Sequence, residues 1–350
     1  MEPIAKDDFI IGHDDLVLVT GASGFIGSRL VANLQDRGFR NIRCFVRSSC
    51  AMFGAGTAGR VEVIKGNLLS RGDCYSATKD VSVIYHLAAG RGERSFPDAF
   101  LNSVVITRNL LEASMQHKCL KRFVNVSSFT VYSNTKKRRR GLLDESCPVE
   151  TSPELRGDAY CFAKVKQEEI VTEYGKKYGI PWVIVRPGHV YGPGNEAITG
   201  RVGIGTFGVF LHLGGSNSIP LTFVDNCADA IALVGLQRGT DNEVFNVVDD
   251  DLPSSRRFLH LYKKNVRSFR TIYIPHLLSY MLCCMWERYS VWSKGQLPPA
   301  FNRRKWYANW KKTNYSNDKL KTRVGWSPKV PTIEGFRRYF ESCRDGQTNA

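Results

Sequence analysis

A run of five residues, Leu16-Val17-Leu18-Val19-Thr20, leads directly into Gly21-Ala22-Ser23-Gly24-Phe25-Ile26-Gly27, and helical spacing follows to Arg37. The apolar, β-branched run predicts a strand and the segment after Gly24 a helix. Three glycines at such a junction leave few choices. Gly21 permits the sharp turn, Gly24 lets the backbone approach a pyrophosphate, and Gly27 lets the helix lie close on the strand. The free N–H groups at the helix start then face the anion. The spacing is G-x-x-G-x-x-G, and the reading is a dinucleotide-binding turn. An acidic residue about twenty positions on would hold the ribose hydroxyls of NAD. That place is taken by Arg47. A guanidinium there suits a ribose 2′-phosphate, so the expected cofactor is NAD(P), leaning to NADP(H).

The pattern continues as strands and helices in alternation. Ile42–Val46, Val61–Ile64, Val81–Leu87 and Arg122–Val126 read as strands, and a long helix is expected from about Phe96 to His117. A further helix and strand occupy Ala159 to Arg186, with returns to the sheet near Cys227–Leu236 and Val244–Val248. The fold class expected is α/β, a Rossmann doubly wound parallel sheet with a smaller C-terminal substrate lobe. The expected division gives residues 1–186 and about 227–250 to the cofactor domain, and about 187–226 and 251–343 to the lobe.

Composition narrows the class without choosing a function. In 350 residues, 43% hydrophobic and 23% charged, there is material for a sizeable core and no sign of disorder. The apolar run Leu277–Trp286 falls short of the roughly 18–20 residues that span a bilayer, and the N-terminal stretch has no apolar signal region. A cytoplasmic location is the expectation. The ten cysteines include no C-x-x-C pair and read as reduced thiols, and with the histidines scattered no metal site is expected. The formal charge of +16 is compatible with an anionic small molecule, a membrane surface or nucleic acid. Nothing else in the chain favours nucleic acid.

Tyr160 and Lys164 stand four apart at the start of a helix and so share one face. An ammonium near a phenol favours phenolate, which makes Tyr160 a usable general acid and base for a secondary alcohol or ketone. The strand Arg122–Val126 ends in Ser127-Ser128-Phe129-Thr130-Val131-Tyr132, where a hydroxyl can steady the reacting oxygen.

Together these stretches resemble the extended short-chain dehydrogenase/reductase superfamily, which holds the NAD-dependent epimerases and dehydratases and the 3β-hydroxysteroid dehydrogenases. Also matching are His86-Leu87-Ala88-Ala89, Arg186-Pro187-Gly188-His189-Val190-Tyr191-Gly192-Pro193-Gly194 and Val224 to Ile231. The resemblance implies that Ser128 is the catalytic hydroxyl, Tyr160 the acid/base, and Lys164 its tuner and a holder of the nicotinamide ribose. It implies cofactor contacts at Ser23, Phe25, Ile26, Asn67, Leu68, Leu87, Ala88, Ala89 and Pro187, besides the three glycines and Arg47. Gly90, Thr130 and His189 would meet substrate. Family members often dimerise through a four-helix bundle, so a homodimer is implied.

The departures bear on the reaction. The family's helix asparagine stands four before a threonine; here that place is Ser103, with Asn102 one step earlier. Phe129 and Thr130 replace the Asp-Glu pair of the dehydratases, which removes elimination of water. His189 replaces an asparagine of the nucleotide-sugar epimerases, and no arginine precedes Val224 in the stretch from Ser218. These changes favour a dehydrogenase or reductase acting on a secondary alcohol or ketone, with a nucleotide-sugar epimerase holding NAD tightly as the alternative and a non-catalytic NAD(P) sensor as the minor one. The apolar segment Pro275–Glu287, with Leu297-Pro298-Pro299 after it, looks like that of hydroxysteroid-dehydrogenase-like members. With the cation- and tryptophan-rich Arg303–Lys312 it allows a membrane-surface contact. Lys136-Lys137-Arg138-Arg139-Arg140 would stand near the substrate mouth as a solvated loop, as a rim attracting a phosphate-bearing substrate or an anionic membrane, or, least favoured, as a nucleic-acid contact or nuclear address.

Overall fold

The structure, a computed structural model, describes residues 8–47, 60–90, 95–135, 141–293, 296 and 301–348. The cation run Lys136–Arg140 and the Leu297-Pro298-Pro299 turn lie outside the described residues. In chain order come β1 (Leu16–Thr20), α1 (Phe25–Asp36), β2 (Asn41–Val46), β3 (Arg60–Lys65), α2 (Arg71–Thr78) and β4 (Val81–His86). Next are α3 (Phe96–Ala99), a π-turn over Phe100–Val105, α4 (Ile106–His117), β5 (Arg122–Val126), β6 (Leu142–Leu143), α5 (Ala159–Tyr178) and β7 (Trp182–Pro187). Then follow β8 (His189–Tyr191), β9 (Gly203–Thr206), β10 (Val209–His212), β11 (Leu221–Phe223), α6 (Val224–Leu236) and β12 (Glu243–Val247). The chain ends with α7 (Ser255–Asn265), β13 (Thr271–Tyr273), α8 (His276–Trp292), α9 (Arg303–Trp310), β14 (Asn314–Tyr315), α10 (Asp318–Val324) and α11 (Thr332–Thr348).

Seven strands form one sheet in the order β12-β7-β5-β4-β1-β2-β3, and every pairing in it is parallel. This is the doubly wound α/β sheet expected. Alternate side chains of a strand point to opposite faces, and both faces here are covered. Val17 and Val19 pack under α1 and α6 with Leu30, Leu34 and Ile231, while Leu18 packs under α4 and α5 with Leu110, Leu111 and Val171. The strand order reverses between β1 and β4, which opens a crevice at their carboxyl ends. Two expected elements differ in detail. Helix α6 starts at Val224 rather than near Cys227, and the helix expected from Phe96 to His117 is re-phased by the π-turn within it.

Beyond the sheet, β8 pairs in parallel with β11, and an aromatic core joins Tyr191 and Phe223 to Phe258 of α7 and to Phe336 and Tyr339 of α11. Strands β9, β10 and β13 form a small sheet, and α8 and α9 enclose Cys283, Trp306 and Trp310. The opposite face of α8 leaves Leu277, Met281, Met285 and Trp292 exposed. Among the described residues no helix is long and apolar enough to cross a membrane.

One buried charge locks the first sheet to its helix layer. The Arg122 side chain is wholly buried at the start of β5, and its Nη1 donates to the carbonyls of Val234, Gly235 and Gln237. These are carbonyls at the C-terminal end of α6, so a cation there also meets the negative end of the helix dipole. Its Nε donates to Asp241, whose side chain is 42% exposed. We therefore expect Arg122→Met to cost about 3 kcal/mol, because several charge-assisted bonds to buried carbonyls are lost. Asp241→Asn should cost less than about 1 kcal/mol, since its charge is solvated. Urea denaturation of both variants checks the contrast, and equal losses would contradict it.

Candidate active site

The turn after β1 has the geometry a phosphate cradle requires. Gly21 sits at φ +70°, and a Cβ on it would stand 2.9 Å from Ala88 N. A Cβ on Gly27 would run into the carbonyl of Gly21 and stand 2.9 Å from Ala22 Cα. Only glycine lets α1 approach the strand end so closely. Gly24 caps α1 without a side-chain hydrogen bond, and the first turn carries no acidic residue. The first N–H groups of α1 thus open onto the crevice with the dipole's positive end behind them.

The crevice is a cleft of about 740 Å³, a volume within the range of cofactor sites. Its lining includes Gly21, Ser23, Gly24, Phe25, Ile26 and Gly27 from the turn, with Arg47, Asn67 and Leu68 beyond the ends of β2 and β3. Leu87, Ala88, Ala89 and Gly90 follow β4, and Ser128, Tyr160, Lys164, Pro187 and His189 stand on the β5 and β7 side. Residues 21 to 189 thus meet in one cavity although the chain separates them widely. Arg47 is exposed at the end of β2. The Asn67 Oδ1 accepts the Leu69 N–H at 3.0 Å, which holds this turn in shape.

Thr130 is the exception. It does not line the cleft, and its carbonyl accepts from Arg156 Nη1 at 2.5 Å and from the Cys161 thiol. It sits in the one-turn helix Phe129–Val131, with its side chain half-buried. That same turn serves Ser128. The Ser128 Oγ accepts the Thr130 N–H at 3.2 Å, so its own proton can be donated into the cleft.

Lys164 is buried, at 3% exposure. Its Nζ donates to the carbonyl of Val126 at 2.7 Å and to Gln167 Oε1 at 2.9 Å. Burial brings its pKa down to about 8, against the opposing pull of Glu168. Glu168 is itself gripped by Arg186, through Nε at 2.9 Å and Nη2 at 2.5 Å, and it accepts from Ser127 Oγ. Arg186 lies over the Tyr132 ring at 4.8 Å. The ion pair fastens α5 to β7, and with them the helix that carries Tyr160 and Lys164.

Counting by α-helical turns puts Ser103 on the face of Thr107. The structure instead lines the cleft with Asn102. In a π-turn the bonds run i to i+5, so residues five apart come one turn apart. Asn102 stands five before Thr107, and the π-turn over Phe100–Val105 gives it the place that a four-residue spacing would give Ser103. Ser103 Oγ accepts the Gly90 N–H at 3.1 Å. The asparagine set one step too early for an α-helix is the sequence signal of this insertion. Asn195 also lines the cleft and was not expected; its Nδ2 donates to the Val190 carbonyl at 2.9 Å.

The cradle fits a dinucleotide, since a Cβ at Gly21 or Gly27 would close the turn and the helix start would receive a diphosphate. Gly27→Ala should destabilise the chain by about 1–3 kcal/mol through overpacking. At Gly24 a Cβ would meet only Gly21 O, at 3.1 Å. Gly24→Ala should therefore keep its melting temperature yet bind NADH about tenfold more weakly. Thermal melts with NADH fluorescence titration separate the two, and a Gly24→Ala protein binding as wild type would contradict the cradle.

Comparison with known proteins places this geometry. The model of the NAD dependent epimerase/dehydratase family matches residues 17–247. A trifunctional UDP-glucose 4,6-dehydratase/UDP-4-keto-6-deoxy-D-glucose 3,5-epimerase/UDP-4-keto-L-rhamnose-reductase of Arabidopsis thaliana is 29% identical over 252 residues, 66% of this chain and 36% of its own. The chain thus spans about a third of the length of that relative, at 36%. GDP-mannose 3,5-epimerase 1 of Oryza sativa subsp. indica is 24% identical over 339 residues, 92% of this chain and 79% of its own. The crystal structure of UDP-glucuronic acid 4-epimerase from Bacillus cereus in complex with NAD shares the fold, with a TM-score of 0.70 at 20% identity over 95% of this chain and 98% of that one.

Proposed function

The chain belongs to the NAD dependent epimerase/dehydratase family, and from that premise we propose that it is a nucleotide-sugar epimerase. It is an NAD(P)-dependent enzyme of the extended short-chain dehydrogenase/reductase superfamily. The observation that carries the proposal is the shared cleft, in which Ser128, Tyr160 and Lys164 stand beside His189 and Asn195 from the segment after β7. The residues alone lean to a dehydrogenase. The balance moves because the likeness to the rice GDP-mannose epimerase covers most of the chain, well past the sheet. We read about 187–226 and 251–343 as the lobe that holds the nucleotide sugar.

In this reading NAD, when bound, supplies the acceptor and donor of hydride. The protein's groups do the rest. Ser128 donates its hydroxyl proton to the reacting oxygen, and Tyr160 removes and returns the proton of the substrate hydroxyl. Lys164 presents an ammonium that steadies the phenolate and the ribose. Phe129 is packed against Tyr132 and Tyr315, and the Thr130 carbonyl is engaged by Arg156. No acid or base stands at these two positions for the elimination of water, so we assign no dehydration.

The test is incubation with GDP-mannose, UDP-glucose and UDP-glucuronic acid, followed by chromatography of the products. An epimer formed without net NAD(P)H is expected, and Tyr160→Phe should lose about 10²-fold or more in turnover while still binding NADH. Product accumulating in step with NAD(P)H would return the reading to a dehydrogenase.

Cofactor preference is a separate matter. We assign Arg47 to the adenosine ribose, where it favours a 2′-phosphate. Arg47→Asp should lower affinity for NADPH relative to NADH by about tenfold or more, through lost attraction and added repulsion. An unchanged ratio of the two dissociation constants would remove Arg47 from the site.

A further inference from the structure

A chain of buried polar groups runs beneath the cleft from Lys164 to the phosphate turn. Gln167 Nε2 donates to Thr107 Oγ1 at 2.8 Å, and His86 Nε2 meets the same oxygen at 2.9 Å. His86 Nδ1 lies 2.8 Å from Thr20 Oγ1, which accepts the Ala88 N–H at 3.3 Å. Thr20, His86, Thr107 and Gln167 are all completely buried, each at 0% exposure.

Elementary donor counting fixes the direction of every bond. The carbonyl of Ser103 can only accept, so Thr107 donates its single hydroxyl proton there, at 2.6 Å. Thr107 Oγ1 must then accept from both Gln167 and His86. His86 therefore carries its proton on Nε2, and its bare Nδ1 accepts from the Thr20 hydroxyl. Lysine only donates, so the Gln167 carbonyl oxygen faces Lys164. No amide flip or second tautomer satisfies all these partners. Burial, with Lys164 as a second cause, lowers the His86 pKa to about 3, which agrees with a neutral ring.

The arrangement uses up two of the three N–H directions of Lys164, on Val126 O and Gln167 Oε1. One is left, and the cleft is where Lys164 is exposed to a ligand. We propose that Gln167, locked by Thr107 and His86, is a positioning residue that aims the Lys164 ammonium at the cofactor. It does this with a neutral amide, so the ammonium keeps a charge to offer. The other charged or titratable groups around Lys164 are Glu168, which is ion-paired with Arg186 and favours the ammonium, together with His86 and Tyr160. The inference rests on the reading that Lys164 touches the cofactor.

The experiment is fluorescence titration of NADH from pH 6 to 10. If the charged Lys164 holds the ribose, affinity weakens as pH rises through the pKa of about 8. Lys164→Met should weaken binding and abolish that limb; a limb that survives this change overturns the reading of Lys164 itself. Gln167→Glu places an anion against the ammonium, favours its charged form and should move the limb up by one pH unit or more. Gln167→Met removes the acceptor, disfavours the charged form and should move it down. Opposite shifts from two substitutions at one buried position are not what a purely structural residue gives, and either variant alone tests the sign if the other does not fold. Thr107→Val should weaken NADH binding about tenfold, and Thr107→Ser should restore it. A limb removed by Lys164→Met yet unmoved in the Gln167 variants, or equal binding by Thr107→Val and Thr107→Ser, would overturn the inference.

Discussion

Helix α1 can lie against the end of β1 only because residue 27 has no side chain, for its Cβ would occupy the space of the Gly21 carbonyl. From this contact the rest of the site follows. The close approach sets the first turn of α1 at the mouth of the crevice, where β1 and β4 part in the strand order. A larger residue would tilt the helix, and the N–H groups of its first turn would point away from the crevice. At Gly21, on the other side of the same turn, a Cβ would run into Ala88 N. The glycine end of the cleft is thus built from the absence of atoms.

The opposite end is built from buried charge. Arg186 and Glu168 fasten β7 to α5, Ser127 joins them from the end of β5, and Lys164 reaches Val126 at the same strand end. Buried ions add little stability as a pair, since desolvation offsets most of their attraction. Their effect here is positional. They fix the rotation and height of α5, and so where Tyr160 and Lys164 meet the cleft. Between the two ends runs the neutral chain through Gln167, Thr107, His86 and Thr20, which ties the lysine to the glycine turn without adding a charge.

Much of this is legible in the sequence, and the parts that are not share physical reasons. The glycine turn and the five strands from Leu16 to Val126 are readable because continuous apolar runs, turn residues and helical spacing agree. Tyr160 and Lys164 are readable because helix geometry makes four residues one turn. Asn102 is missed for the converse reason, since the π-turn breaks that count. The one-turn 3₁₀ helix that holds Thr130 is not legible, because three residues carry no periodicity to announce it. Strands β8 to β11 hold three or four residues each, too few for alternation to show. His86, Thr107 and Gln167 lie far apart along the chain, and only the packing of β4, α4 and α5 reveals that they meet.

We read this cleft as a dinucleotide site that serves hydride chemistry. Denaturing the purified protein and identifying the released small molecules by mass spectrometry, with NADH titration of the stripped chain alongside, tests this most directly. NAD or NADP is expected in the released fraction, or else saturable NADH binding by the stripped chain that Gly24→Ala weakens. A chain that releases no dinucleotide and binds none would contradict it.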